Sequence, residues 1–400
     1  MLSFHPSVRM VPLALAAALV CGAASAEISD TIHPFVALGY TYDDNLLRLP
    51  DNAGDGVQRS DRARQAQAGV IVERPIGRQR LSATAKVSRV NFDHYSQLDY
   101  NGKDLKADLY WQLGNRLSGL LGGSYVETLT PFSDYNSSER NLRTTRREYV
   151  NAAWRFHPSW QVRGGVTRNR NEYELLAQRV NNRQEDLAEV GADYLASSGS
   201  KVGLVVRHWK GHYMNPRRIN GVALDDDYTQ DELKASVNWR FSGVTYIEML
   251  AGYAKRKHAF FTGRDSSGVN GRAAVTWAPL GKVRFNADVW REFAAVESFV
   301  VSNSLNKGAS VAATWTVTSK MQATASVRRE NREFEQLPSV NFRGEASDRS
   351  TSAQLGLTYA PTIGTQLGLT AFREKRNGSP LAGTNDYKAN GLSINASVQF

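Results

Sequence analysis

The sequence predicts an all-β protein, a closed antiparallel transmembrane β-barrel of 18 strands. Three observations predict it: an export signal at the N-terminus, alternation of apolar and polar residues through the rest of the chain, and aromatic residues gathered beside short turns.

The export signal comes first. The chain has 400 residues, a formal net charge of +10 and 41% hydrophobic residues. Mean hydropathy is −0.43, and past residue 26 no run approaches the ~18 apolar residues of a spanning helix. Those facts alone would suit a soluble protein. The first residues point elsewhere. Arg9 gives a positive start, Val11 to Val20 is an apolar stretch, and Ala24-Ser25-Ala26 has the small-x-small form that signal peptidase cuts. The division is therefore a signal peptide over 1–26 and a barrel over 27–400. Cys21 raises lipidation, but Val20 before it fits a lipoprotein signal poorly. After cleavage no cysteine remains, so disulfides play no part. The signal removes one basic and no acidic residue, which leaves +9. A basic exported chain suits anionic lipid or an anionic polymer. Nucleic acid is excluded as a partner because the signal sends the chain out of the cytoplasm.

The alternation is clearest at the end, where Leu392, Ile394, Ala396, Val398 and Phe400 share one face and Ser393, Asn395, Ser397 and Gln399 the other. Similar stripes run through Leu105-Ala107-Leu109-Trp111, Val150-Ala152-Trp154-Phe156, Leu233-Ala235-Val237-Trp239-Phe241 and Ala353-Leu355-Leu357-Tyr359. A period of two is the mark of a sheet with two different faces. Short turns near Gly77, Gly114-Asn115, Pro158, Ser198-Gly199, Ser242-Gly243, Leu280-Gly281, Ser319 and Ile363-Gly364 divide the chain into strand–loop–strand units that make 18 strands. Longer polar loops, such as Leu129 to Thr145, Met214 to Asp227 and Leu337 to Ala346, lie at the other end and are expected to be extracellular. The alternative is 16 strands, because Val87–Phe92 and Leu117–Val126 change phase and could hide a bulge.

The aromatic residues give an independent test. Trp111, Trp154, Trp160, Trp239, Trp277 and Trp315 all lie within a few residues of a short turn, as do Phe156, Phe241, Tyr359 and Phe400. Such a band is the girdle of a barrel at the membrane–water interface. A soluble β-sandwich would scatter its tryptophans along the strands, and a β-solenoid would need a repeat of fixed length.

The segment Phe35-Val36-Ala37-Leu38-Gly39-Tyr40-Thr41-Tyr42-Asp43-Asp44-Asn45-Leu46-Leu47-Arg48, with the terminal strand ending in Phe400, resembles the EpsL-type outer-membrane barrels of exopolysaccharide gene clusters. Those clusters accompany exosortase and PEP-CTERM sorting systems in Gram-negative bacteria. The resemblance covers the mature chain in organisation, but only the first strand and its Asp-Asp-Asn-Leu-Leu-Arg turn are specific. It implies a place in the outer membrane and a role in making or exporting extracellular polysaccharide. It implies no catalytic or transport residue.

The chemistry-bearing residues do not assemble into an enzyme site. The mature histidines lack a distinguished partner set; His208 and His212 share a strand face, which suits a metal pair but suits a solvated rim better. Ser310 and Ser326 read as ordinary lumen serines, and Asp225-Asp226-Asp227 as a solvated run before a calcium site. No catalytic residue, metal or cofactor is expected. The phase opposite the apolar stripes holds Lys86, Lys106, Arg147, Arg155, Arg163, Arg207, Lys234, Arg240, Arg256, Arg272, Arg284 and Arg328. It also holds Glu73, Asp108, Glu189, Asp193, Glu248, Asp288, Glu292, Tyr110, Tyr149, Trp209 and Trp290. The plain reading is a charge-balanced wet lining. The sharper one is a basic conduit, in which Arg155, Arg163, Arg207, Lys234, Arg240, Arg272, Arg284 and Arg328 guide an anionic polymer and aromatic faces stack on sugars.

The expected function is thus an outer-membrane channel or assembly component for exopolysaccharide export. A surface structural or adhesion barrel with a plugged lumen is the alternative, and a barrel enzyme acting on lipid or polymer the third reading. Expected partners are polysaccharide, outer-membrane lipid and lipopolysaccharide at the charged loop ends, periplasmic or inner-membrane export components, and the barrel-assembly machinery, which would read Phe400 as its signal.

Overall fold

The computed structural model describes residues 31–54, 56–219, 222–259, 265–296, 298, 301, 303–334 and 346–400. The signal peptide expected over 1–26 with Cys21, and the expected Leu337–Ala346 loop apart from Ala346, lie outside the described residues. The strands are β1 (Ile32–Asp43), β2 (Asp61–Ile76), β3 (Gln79–Phe92), β4 (Tyr100–Leu113), β5 (Leu117–Leu129), β6 (Leu142–His157), β7 (Trp160–Tyr173), β8 (Arg183–Leu195), β9 (Lys201–Tyr213), β10 (Arg217–Ile219), β11 (Val222–Leu224), β12 (Tyr228–Ser242), β13 (Thr245–His258), β14 (Ser266–Leu280), β15 (Val283–Ala295), β16 (Asn303–Thr318), β17 (Met321–Phe334), β18 (Ser347–Thr362), β19 (Thr365–Asn377) and β20 (Tyr387–Gln399). Eighteen form one sheet, each paired with its neighbours, and β1 pairs with β20 to close it. The remaining two, β10 and β11, make a small hairpin inside the long loop after β9.

Closure satisfies the backbone of every spanning strand without water, which is what a sheet in lipid requires. The short turns all fall where the sequence puts them. Glycine is needed at Gly77, Gly114 and Gly199, whose φ values of 61°, 59° and 81° are left-handed. The 16-strand alternative fails because the two doubtful segments pair without interruption. Val87 faces Ala68 on one side and Lys103 on the other, and Leu121 faces Leu109 and Val150. Their irregular look has two physical causes. In β5 the lipid face carries Gly119 and Gly123 while Leu120 points inward, which blurs the contrast. In β3 the strand rises above the membrane, so Arg89 and Asn91 are outside while Val90 is buried inside.

That inversion recurs around the barrel and divides it into two storeys. In the lower storey the outer face is apolar. Leu38, Val190, Leu204, Val269, Leu355 and Ile394 are exposed there, and Trp154, Trp160, Trp239, Trp277 and Trp315, at 44% to 52% exposure, form the girdle by the short turns. In the upper storey the outer face turns charged, and Tyr173, Tyr213, Tyr228, Phe334 and Tyr387 are buried inside. Loops fold over this upper interior. Val296, Val301, Phe334, Leu381 and Ala382 pack into one apolar cluster. The inward Arg376 donates to the Ser133 carbonyl, and Arg217 of the small hairpin donates to the Ser298 carbonyl. The loop expected over Leu129–Thr145 is shorter, since Leu129 ends β5 and Leu142 starts β6.

The seam between β1 and β20 is tied at its upper end by the turn that carries the family resemblance. Asn45 is 1% exposed. Its side-chain amide donates to the carbonyls of Leu49 and of Lys388, each at 2.9 Å, and its side-chain oxygen accepts from the Leu49 N–H. Arg48 adopts a left-handed φ of 56°, held by ion pairs to Asp43 at 2.8 Å and Glu374 at 2.9 Å. At the lower end the Phe400 N–H donates to the Pro34 carbonyl at 2.8 Å.

Two outcomes follow from this architecture. Ser138→Cys should react with a membrane-impermeant maleimide on whole cells, whereas Asn115→Cys should react only after the outer membrane is opened; the reverse pattern would invert the topology. Asn45→Ala strands several buried partners and should lower stability by about 2 kcal/mol, read as a lower urea midpoint for refolding into vesicles, with an unchanged midpoint counting against a seam role.

Candidate functional site: the lumen wall

Residues directly opposite one another in an antiparallel ladder project to the same face. One phase therefore runs unbroken from β1 round to β20, and the face opposite the apolar belt is the lumen. On it lie Arg155, Arg163, Arg207, Lys234, Arg240, Arg272, Arg284 and Arg328. Their surroundings separate them into two groups.

The first group is matched by carboxylates. Arg163 pairs with Asp193 at 3.1 Å and Glu189 at 3.6 Å. Glu189 also meets Arg207 at 3.3 Å, Arg207 meets Glu232 at 2.8 Å, and Glu232 meets Lys234 at 3.0 Å. Lys234 then donates to Asn270 at 2.7 Å. This last bond spans Gly252, which lies between them in the ladder and has no side chain to block it. The result is a chain of alternating charge across the inner wall from β7 to β14. Farther round, Arg272 pairs with Glu292 at 3.1 Å and Arg328 with Glu330 at 2.7 Å.

The inward aromatics belong mostly to this wall. Trp290 is 5% exposed, lies over Gly308, donates to Glu330 at 2.9 Å and has the Arg328 guanidinium 4.1 Å above its ring. It cannot offer a free face to a sugar. Tyr149 donates to Asp108, and Trp209 lies under Arg207 at 5.2 Å. Tyr110, at 44% exposure, is open to the lumen. The stacking role expected of these rings is thus reduced to Tyr110, because arginine occupies the other faces.

The second group lies at the lower, periplasmic mouth. Arg155, Arg240 and Arg284 are exposed, and no carboxylate is within ion-pair distance of them among the described residues. Arg240 and Arg284 share a cleft of about 700 Å³ with Lys201, Asn238, Tyr246 and Thr276. Lys201 faces Asn238 and Arg80 faces Tyr110, so both add to the same inward ring. Sequence reasoning missed Lys201 and Arg80. Each is the first inward position beyond a short turn, and extending the Val202-Leu204-Val206 and Leu81-Ala83-Ala85 stripes by one residue would have found them.

The other candidates resolve simply. His208 and His212 do share a face, the outer one, where they contact separate carboxylates, Asp231 and Asp227, at 2.7 Å each. Asp226 pairs with the buried Arg217 at 2.7 Å, so the aspartate run is part of the loop's own structure. Ser310 bonds Asp288 at 3.3 Å. Among the described residues no group of three or more His, Cys, Asp or Glu side chains is placed to hold a metal.

A family model described as "Putative beta-barrel porin 2" matches residues 217–400. Among solved structures, OccK2 (OpdF) of Pseudomonas aeruginosa aligns over 93% of this chain and 98% of its own, at 9% identity and a TM-score of 0.50. The outer-membrane protein opdK of Pseudomonas aeruginosa aligns over 93% and 99%, at 10% identity and a TM-score of 0.48. OccAB3 of Acinetobacter baumannii aligns over 93% and 100%, at 9% identity and a TM-score of 0.47. No curated protein sequence matches the chain. At these identities the likeness is one of fold. With the apolar belt and the aromatic girdle, it makes the chain an outer-membrane β-barrel of that fold.

The charge chain on the inner wall can be tested by removing its shared acid. Glu232 is 4% exposed and holds both Arg207 and Lys234. Glu232→Ala should destabilise the barrel by about 3 kcal/mol, since it leaves the buried Lys234 without a carboxylate and Arg207 with Glu189 alone. A change below about 1 kcal/mol in vesicle refolding would mean that water screens the chain.

Proposed function

We propose that the barrel is a channel for an anionic saccharide polymer and takes part in exopolysaccharide export. The observation that carries this reading is the cluster of exposed, unmatched cations at the periplasmic mouth. A polymer made inside the cell would meet Arg155, Arg240, Arg284 and Lys201 first, and above them a wall whose charges are mostly matched, Arg147 over the Tyr149 ring being an exception. A conduit needs attraction at its entrance and no deep trap along its length. The family resemblance supports the choice of polysaccharide, and the porin-type fold supports the choice of a channel. In this setting periplasmic or inner-membrane export components would deliver the polymer to the lower rim, and the barrel-assembly machinery would read Phe400.

A second reading is a surface structural barrel with a plugged lumen. The apolar cluster of Val296, Val301, Phe334, Leu381 and Ala382 under the upper loops favours it. Planar-bilayer recording separates the two, because a plugged barrel conducts nothing.

The entrance charges act as a sum, since the Debye length at physiological salt is ~8 Å and each is partly screened. Single substitutions should do little. The triple change Arg155→Gln, Arg240→Gln and Arg284→Gln should move the reversal potential of an anion-selective wild type towards zero. It should also lower polymer release from cells at unchanged barrel abundance. If the triple variant folds normally and both quantities stay as in the wild type, the electrostatic channel is wrong.

A further inference from the structure

The outer wall carries a patch of charge that the lumen reading does not use. In the register of the last strands, Arg329 on β17 stands opposite Thr351 on β18, Thr351 opposite Lys375 on β19, and Lys375 opposite Lys388 on β20. Arg349 lies two residues above Thr351, and Arg373 two residues below Lys375. Neighbouring strands are ~4.8 Å apart and rise ~3.4 Å per residue, so Arg329, Arg349, Arg373 and Lys375 fall within a patch about 10 Å wide and about 14 Å tall. All four are exposed on the outer face.

Several other sectors at this height match a cation with a carboxylate, and elsewhere unmatched Arg146 lies over the Tyr125 ring and Arg291 donates to the Val269 carbonyl. Lys103 pairs with Glu127 at 3.0 Å, Arg168 with Asp186 at 2.7 Å, and Lys307 with Glu333 at 2.6 Å. On the outer face of β18 to β20, among the described residues, the matched cation is Lys388, paired with Asp51 at 2.9 Å; this bond holds the Asp51 carboxyl below its ordinary range. The acids beside the patch are engaged elsewhere: Asp44 is hydrogen-bonded to Asn390 at 2.8 Å and Glu333 pairs with Lys307 at 2.6 Å. Arg329, Arg349, Arg373 and Lys375 have no carboxylate within ion-pair distance among the described residues.

Directly below the patch the wall becomes apolar, with Leu355 at 65%, Leu369 at 43% and Ile394 at 52% exposure. A ligand that fits both levels has several negative charges at one end and acyl chains at the other. A phospholipid with a single phosphodiester cannot neutralise four cations. We infer that this face binds a multiply phosphorylated glycolipid of the outer leaflet, its phosphates against Arg329, Arg349, Arg373 and Lys375 and its acyl chains along the apolar wall beneath.

The test uses the purified full-length barrel in a zwitterionic detergent, with binding followed by native mass spectrometry. The probes are diphosphoryl lipid A, monophosphoryl lipid A and phosphatidylglycerol. Diphosphoryl lipid A should bind tightest and weaken with added salt. The quadruple variant Arg329→Gln, Arg349→Gln, Arg373→Gln and Lys375→Gln should lose at least about tenfold in affinity. The control Lys103→Gln with Arg168→Gln, in matched sectors, should retain it. If the quadruple variant shows no heat-modifiable folded band, the double variant Arg329→Gln and Lys375→Gln carries the test with an expected loss of about threefold. Equal affinity in the patch variants and the wild type overturns the inference. So does phosphatidylglycerol binding as tightly as diphosphoryl lipid A, or an equal loss in the control.

Discussion

A strand that crosses lipid has no water to pair its backbone, so the sheet has to return to its own first strand. In this barrel that return is the ladder from Phe35 opposite Gln399 up to Asp43 opposite Gly391. Everything else depends on it. Because opposite residues share a face, closing the ring also fixes a single inside and a single outside for all eighteen strands. A slip of one residue at the seam would turn Leu392 and Ile394 into the lumen and Ser393 and Asn395 towards lipid. The turn at Asn45 and Arg48 guards against that slip from above, by bonding to the β20 backbone at Lys388 and to Glu374 on β19. The Asp43–Arg48 turn is therefore accounted for by the mechanics of closure, independent of any ligand.

The lower storey was legible in the sequence because lipid imposes a sharp rule on it. Trp154, Trp239 and Trp315 close apolar stripes beside short turns, and that pattern has few other physical meanings. The upper storey was harder to read. Once a strand leaves the bilayer, its outer face meets water and its inner face packs against loops, so the alternation keeps its period but reverses its sign. Val90, Tyr228 and Phe334 are inside for that reason, with Arg89, Thr229 and Glu333 beside them outside. A period of two assigns alternate residues to opposite faces, but it does not say which face is wet.

The phase of the basic residues could be read from the sequence, but their partners could not. Arg207 and Glu232 are separated by a long loop containing its own hairpin, and only the register brings them to 2.8 Å. The contact between Lys234 and Asn270 depends further on a glycine at the intervening position. Sequence gives each of these residues the same description, an inward charge, while the structure makes Lys234 a buried member of a matched chain and Arg240 an exposed cation at a mouth. Trp290 shows the same limit, since an inward tryptophan becomes unavailable only when Arg328 and Glu330 from β17 close on it.

These distinctions bear on how a closed ring could pass anything large. The wall itself cannot widen, because its diameter is set by strand number and register. The movable parts are the loops above. Where they meet the wall, Arg376 and Arg217 hold backbone carbonyls at Ser133 and Ser298, and a small apolar cluster packs around Phe334. Such contacts can part while every strand-to-strand hydrogen bond stays in place, so the upper mouth can rearrange without disturbing the membrane-spanning ladder. The matched charges of the wall have the opposite character: Glu232 and Lys234 are locked to strands that cannot separate. A barrel built this way keeps a fixed, largely charge-matched middle between an adjustable upper mouth and a basic lower one. In the channel proposed above, selection by charge would act at the periplasmic end and selection by size at the loops.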